Sequence, residues 1–217
     1  MYRVKNIFFY KKINLWGKYM LKSKHFLKYV ILATLVGAII YIYINSDFYN
    51  LKCVISSVDG NRYCVRERKR IKEAANILAT VMNKCEKFVK HLKEKYPDNT
   101  DIQRLYSKFD KERCVETLPT SELTAYSENK GQKVAFCLNK NKNGTKLIDI
   151  NTLTFVAIHE LSHIMSISIG HNDEFWDNFK FLLDNAVEMN IYTPVDYKKH
   201  PEDYCGLEIT DNPYYDH

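Results

Sequence analysis

No acidic residue occurs among the first 28 positions, and no charged residue of either sign between Tyr29 and Ile44. No cysteine precedes Cys53, and no C-x-x-C pair occurs anywhere in the 217 residues. Internal repeats and low-complexity tracts are also missing, which sets aside repeat architectures and leaves one core of moderate size. The first two absences belong together. Eight basic residues (Arg3, Lys5, Lys11, Lys12, Lys18, Lys22, Lys24 and Lys28) precede the uncharged run Y-V-I-L-A-T-L-V-G-A-I-I-Y-I-Y-I. Counted from Phe26, with Lys28 able to snorkel, the stretch reaches the roughly 17–25 residues that cross a bilayer as a helix. Tyr29, Tyr41 and Tyr43 stand near its ends, where interfacial aromatics belong. A buried core helix would share this composition, but the one-sided basic flank argues for a membrane segment. Bulky Ile and Tyr follow where a signal peptidase needs small residues, so an uncleaved transmembrane signal anchor is expected at 29–45. The positive flank then assigns 1–28 to the cytosol as a basic arm. It assigns 46–217 to the luminal or extracellular side, or to a virion membrane.

The cysteines agree with that topology. All six (Cys53, Cys64, Cys85, Cys114, Cys137 and Cys205) lie beyond the apolar run. An even number in an oxidising compartment suggests up to three disulfides, with six ordinary buried thiols as the alternative. Cys53 and Cys64 flank Asp59-Gly60, a strong hairpin turn, so they should be neighbours across a β-ribbon. Without C-x-x-C spacing, zinc held by cysteine is disfavoured. Asn143-Gly144-Thr145 is a glycosylation acceptor in a Lys/Asn/Gly stretch, which suits a luminal body. The net charge of +6 misleads: without the eight N-terminal basic residues, 24 Lys+Arg face 26 Asp+Glu, or −2. That balance is not the footprint of a nucleic-acid-binding domain, and no nucleic acid is expected as a partner. The basic arm better matches a topology signal and the anionic headgroups of a lipid bilayer.

Within the body, Leu51 to Val65 reads as a β-hairpin. A long amphipathic helix should run from about Arg66 to Lys95, with Ile71, Ala75, Leu78, Met82, Cys85, Val89 and Leu92 as one apolar stripe. Tyr96-Pro97-Asp98 ends it, and a shorter helix should follow around Asp101 to Phe109. β-like runs then occupy Ser121–Ser127, Lys133–Leu138 and Lys146–Ile150, a small sheet directly before the next helix. That helix should be capped by Asn151 and stopped by Gly170. A last helix should begin at Asn172, with Asp173 and Glu174 in its first turn and Phe175, Trp176, Phe179, Leu182, Leu183 and Ala186 on its buried face. The tail is rich in tyrosine and shows little periodicity.

The chemistry concentrates in His159-Glu160-Leu161-Ser162-His163, followed by Gly170-His171. Residues four apart on a helix share a face, so His159 and His163 can hold one metal ion together. Glu160 beside them can take a proton from metal-bound water, and His171 can return past Gly170 as a third ligand. The stretch is strongly apolar, and unpaired His and Glu would be costly to bury there. One Zn²⁺ per chain, with a fourth position open to water, accounts for all three. Tyr192, Tyr197 or Tyr204 is a candidate to stabilise an oxyanion, with plain packing as the alternative. Asp173 and Glu174 are candidates to orient a ligand, or simply helix-dipole residues, and Glu174 is the fallback third ligand. An edge strand of the sheet could hold an extended peptide by main-chain hydrogen bonds.

At F-V-A-I-H-E-L-S-H, the following G-H and the E-F-W at Glu174–Trp176, the chain resembles zincin metallopeptidases, in particular the WLM and SprT-like groups. The likeness to membrane-anchored WLM-like metallopeptidases of large DNA viruses extends from Tyr63–Arg66 (Y-C-V-R) through Asn129–Gly131 (N-K-G). It continues to Tyr204–Gly206 (Y-C-G) and Asn212–Tyr214 (N-P-Y). It implies an α+β zincin-like domain with a small mixed sheet and an H-E-x-x-H active-site helix, preceded by one transmembrane helix. It also implies a zinc-dependent peptidase acting on protein or peptide substrates. One departure stands out: seven residues separate His163 from His171, against five in WLM and metzincin patterns, whereas SprT-like chains allow a longer gap. Two other readings compete. One is a catalytically silent structural or virion membrane protein that keeps the fold; an intact Glu160 counts against it. The other is a DNA–protein crosslink protease, which needs a basic groove that the body's composition does not suggest.

Overall fold

The computed structural model describes residues 25–43 and 51–216; the basic arm up to residue 24 and the junction 44–50 lie outside the described residues. Two units divide the chain, Met1–Tyr49 and Asn50–His217. In the first, helix α1 (His25–Tyr43) has 19 residues, a mean hydropathy of 2.0 and no buried residue. At 1.5 Å per residue it is about 28 Å long, close to the ~30 Å hydrocarbon thickness of a bilayer. By length and composition it is able to cross a membrane.

The second unit opens with the expected hairpin, β1 (Leu51–Ile55) against β2 (Arg62–Arg66). Cys53 lies opposite Cys64 and is disulfide-bonded to it. The turn is organised by Asp59, whose carboxylate accepts from Asn61 N (3.1 Å) and the Tyr63 hydroxyl (2.8 Å). Helix α2 (Ile71–Lys95) carries the expected stripe, but it starts five residues later than the periodicity suggests. The reason is Arg66, which ends β2 and turns its buried side chain onto Glu116 and the Thr117 carbonyl. Helix α3 (Thr100–Lys108) follows, capped by Asn99.

A three-stranded mixed sheet comes next: β3 (Cys114–Glu116), β4 (Ala125–Glu128) and β5 (Lys133–Phe136), in the order β3-β5-β4. β3 is parallel to β5 and β4 antiparallel, so β4 forms one edge. Strand β3 was not foreseen, because a three-residue segment with a buried Glu carries no alternation to read. Glu116 is tolerated there because Arg66 and Arg68 both pair with it and Arg66 N donates to it at 2.7 Å. The expected third run at Lys146–Ile150 is not a strand: Leu147 bridges to Asn139, and Ile150 already opens a helix.

Helices α4 (Ile150–Met165) and α5 (Asp173–Glu188) pack against each other and share a core with α2 and α3, in which Leu78, Met82, Leu105, Ile158 and Leu182 are buried. Trp176 is not on the buried face of α5; it is 45% exposed. The tail holds an unforeseen short hairpin, β6 (Glu202–Tyr204) and β7 (Leu207–Ile209), turning through Cys205 and Gly206 at positive φ. Cys137 bonds to Cys205 and pins this hairpin to the end of β5. Two disulfides therefore form, within the expected limit of three, and Cys85 and Cys114 are free and buried.

Candidate metal centre and cleft

Twelve of the 16 residues of α4 are buried, as befits a helix apolar on most of its surface. Asp149 starts it, accepting from Thr152 N at 2.9 Å and from the Thr152 hydroxyl at 2.7 Å. Asn151, the expected cap, lies inside the first turn and pairs with the Thr193 backbone at 2.9 Å in both directions. The helix closes at Ser166, well before Gly170. Arg104 donates to Met165 O and Lys130 to His163 O, so cations satisfy the last carbonyls and complement the helix dipole. Gly170, with φ of 89°, is instead a left-handed link in the loop that delivers His171.

His159, His163 and His171 converge. Their candidate ligand nitrogens all lie within 4.8 Å of one another, and His171 Nε2 is 3.1 Å from His159 Nε2. Two ligands at ~2.0–2.1 Å from a tetrahedral zinc stand about 3.4 Å apart, so the set fits such an ion after small adjustment. Phe175 forms a floor, its ring 4.3–4.9 Å from all three imidazoles. Burial, then His163 and His171, push the His159 pKa down to about 3. Burial, then His171 and Lys130, hold His163 at about 4. Both are thus neutral at neutral pH, the form that binds metal. Glu160 is 3% exposed, its Oε2 has no hydrogen-bond partner, and burial raises its pKa to about 8. A buried orphan carboxyl beside three convergent imidazoles fits proton transfer better than structure.

These groups line a cleft of about 430 Å³, walled by Ala125, Tyr126 and Ser127 of β4 on one side and by Ile169–His171 on the other. A larger cavity of about 650 Å³, bordered by Arg68, Asn143 and Lys146, shares no lining residue with it and contains no histidine or cysteine. The cleft with the convergent imidazoles is the site with chemistry. Asn143 itself is exposed on its loop.

The other candidates lie elsewhere. Glu174 accepts from Ile167 N (2.6 Å) and Ser168 N (3.0 Å), so its carboxylate holds the loop and is not in the histidine cluster. Asp173 is exposed in the first turn of α5. Tyr192 and Tyr197 stack on Phe155, at 5.7 and 5.0 Å, and the Tyr192 hydroxyl accepts from Asn212 at 3.0 Å. The buried Tyr204 hydroxyl accepts from Cys137 N at 3.1 Å, near enough to Glu160 to be influenced by its charge. None of the three tyrosines lines the cleft. Sequence reasoning missed Phe175 as the imidazole floor, Tyr126 as a cleft wall and Lys130 at the end of α4. For Lys130 the signal was N-K-G, a turn that demands positive φ.

The WLM domain model matches residues 55–213. Uncharacterized protein R325 of Acanthamoeba polyphaga mimivirus is 29% identical over 163 residues, covering 73% of this chain and 82% of R325. Uncharacterized protein 042R of Invertebrate iridescent virus 3 is 35% identical over 83 residues, 38% of this chain and 50% of that protein. The crystal structure of Wss1 from Saccharomyces cerevisiae aligns with a TM-score of 0.44 at 16% identity, covering 58% of this chain and 88% of Wss1. With the family model spanning β2, the three-stranded sheet, the histidine cluster and the β6–β7 hairpin, the chain belongs to the WLM domain family of zincin-like proteins, with relatives in large DNA viruses.

Proposed function

We propose that this chain is a membrane-anchored, zinc-dependent peptidase in which His159, His163 and His171 hold the metal and Glu160 is the general base. The observation that carries the reading is the convergence of three imidazoles beside a buried carboxyl with an unpartnered oxygen in one cleft. Zinc, when bound, supplies Lewis acidity toward a carbonyl and lowers the pKa of water to ~7. Glu160 takes the proton of the attacking water and delivers it to the departing amine nitrogen. Burial raises its proton affinity in the metal-free protein, and the positive charge of a bound metal would favour the carboxylate that accepts the proton. The outer edge of β4 lines the cleft, and its main-chain groups orient an extended substrate without reading its sequence. Leu123 and Ile169, 58% and 91% exposed, rim the cleft and favour apolar side chains near the scissile bond.

Anchoring rests on α1, and an orientation with the body outside the cytosol is supported by the seven basic residues before it, with Lys28 in its first turn, and the two disulfides after it. A crosslink protease acting on DNA is the second reading: Lys130 is the one Lys or Arg lining the cleft, but Arg66, Arg68, Lys69, Arg70, Lys142 and Lys146 line the separate larger cavity. The test is cleavage of an unstructured protein such as casein by the detergent-solubilised full chain and by Glu160→Gln. Cleavage by the parent alone is expected. Equal cleavage by both would remove Glu160 from the reaction, and none by either would favour a structural role.

A further inference from the structure

Seven residues separate His163 from His171; the first two complete α4 and the other five, 166–170, form a loop that does not by itself fix a ligand. Ser168, in its middle, is gripped from two sides. Lys130 Nζ donates to the Ser168 carbonyl and, at 3.0 Å, to the His163 carbonyl. Glu174 accepts from the Ser168 amide at 3.0 Å, from its hydroxyl, and from Ile167 N at 2.6 Å. His171 is secured on its far side as well, its carbonyl accepting from Trp176 Nε1 at 3.1 Å.

The Lys130 side of this grip exists at a conformational cost. Asn129 and Lys130 have φ of 46° and 58°, a region that L-residues adopt reluctantly. Gly131 follows at 99°, where an added Cβ would stand 2.9 Å from the Lys108 carbonyl. The turn is thus locked, and it carries a lysine whose amine bridges α4 and the ligand-bearing loop. Nothing in hairpin formation requires a lysine at that position. Strain retained beside a reactive cleft calls for a functional explanation.

We propose that Lys130 and Glu174 are positioning residues that clamp the loop 166–171 at Ser168 and so hold His171 in register with His159 and His163. This rests on the peptidase reading and adds what makes the longer histidine spacing workable. The clamp acts through His171: the Lys130 amine, at the edge of the cleft, is spent on the two carbonyls, and Glu174 does not line the cleft.

The experiment is a zinc-affinity competition on the detergent-solubilised full chain against a chromophoric chelator, using Lys130→Met, Glu174→Gln, His171→Ala and the combination of Lys130→Met with His171→Ala. Each clamp variant should weaken zinc binding by about tenfold or more, as loss of a ligand-orienting partner does. Lys130→Arg, which keeps the cation, should recover most of it and serves as the folding control. In the His171→Ala background, Lys130→Met should have no further effect. Equal weakening in both backgrounds would make Lys130 a general stabiliser and overturn the clamp. Unchanged affinity in Lys130→Met, with a parent that binds zinc, would overturn the clamp alone. A parent that binds no zinc would overturn the peptidase reading and the clamp together.

Discussion

Glu160 should make the metal-free protein less stable as pH rises, and its replacement by Gln should remove that dependence. The folded-state pKa, about 8, lies above the ordinary 4.5 because burial disfavours the carboxylate. For an acid shifted upward, the unfolded chain releases its proton first. The penalty is absent below 4.5, grows between 4.5 and 8, and is complete above. Between pH 5 and pH 7 it should grow by about 2–3 kcal/mol, from 1.36 kcal/mol per unit. For a body of this size that corresponds to roughly 5–10 °C in melting temperature. His159 and His163 act in the opposite sense, since their depressed pKa values favour unfolding below 6.5, but they are common to both chains and cancel. Gln leaves a buried amide in need of partners, a cost of about 1–3 kcal/mol that does not vary with pH. The assay is therefore the parent-minus-variant difference in unfolding of the chelated full chain at both pH values. Glu160→Gln should gain on the parent by about 2–3 kcal/mol from pH 5 to pH 7. Parallel profiles would refute the claim that Glu160 is held protonated by burial.

Other perturbations follow from the same structure. Glu116→Ala should cost about 3–5 kcal/mol in urea unfolding, because the carboxylate is fully buried and both Arg66 and Arg68 would lose it; a loss under 1 kcal/mol would mean that the arginines find water. Cys205→Ser should destabilise by about 4 kcal/mol and Cys53→Ser by about 3, since the closed loops differ in length, 68 against 11 in sequence separation. Reversed order would point to strain or residual structure. Removing His25–Tyr43 should move the chain from a carbonate-resistant membrane pellet to the supernatant; retention in the pellet would assign membrane binding to the body.

The elements with a strong period were legible in the sequence. α2 and α5 repeat their apolar residues over several turns, and the Cys53–Cys64 ribbon carries Asp59-Gly60 at its tip. The juxtaposition of His159, Glu160 and His163 follows from helical spacing alone. What escaped depends on contacts distant in sequence. β3 exists because Arg66 and Arg68, about fifty residues earlier, neutralise Glu116. Asp149 displaces Asn151 as cap because Asn151 is drawn to Thr193. The tail tyrosines were plausible oxyanion donors by composition, but the Tyr192 and Tyr204 hydroxyls face Asn212 and the Cys137 amide, and Tyr197 packs on Phe155, neighbours that only the fold brings near. Lys130 escaped for the same reason, since its bond to His163 O spans 33 residues.

The central claim, a zinc peptidase built on His159, Glu160, His163 and His171, is tested most directly by metal reconstitution. The full chain would be stripped with a chelator, its zinc content measured, and its cleavage of an unstructured protein followed as zinc is returned. The account predicts one zinc bound per chain, activity rising in step with occupancy, and equal zinc uptake without activity in Glu160→Gln. Full activity in the stripped chain, or a folded parent that takes up no zinc, would contradict it.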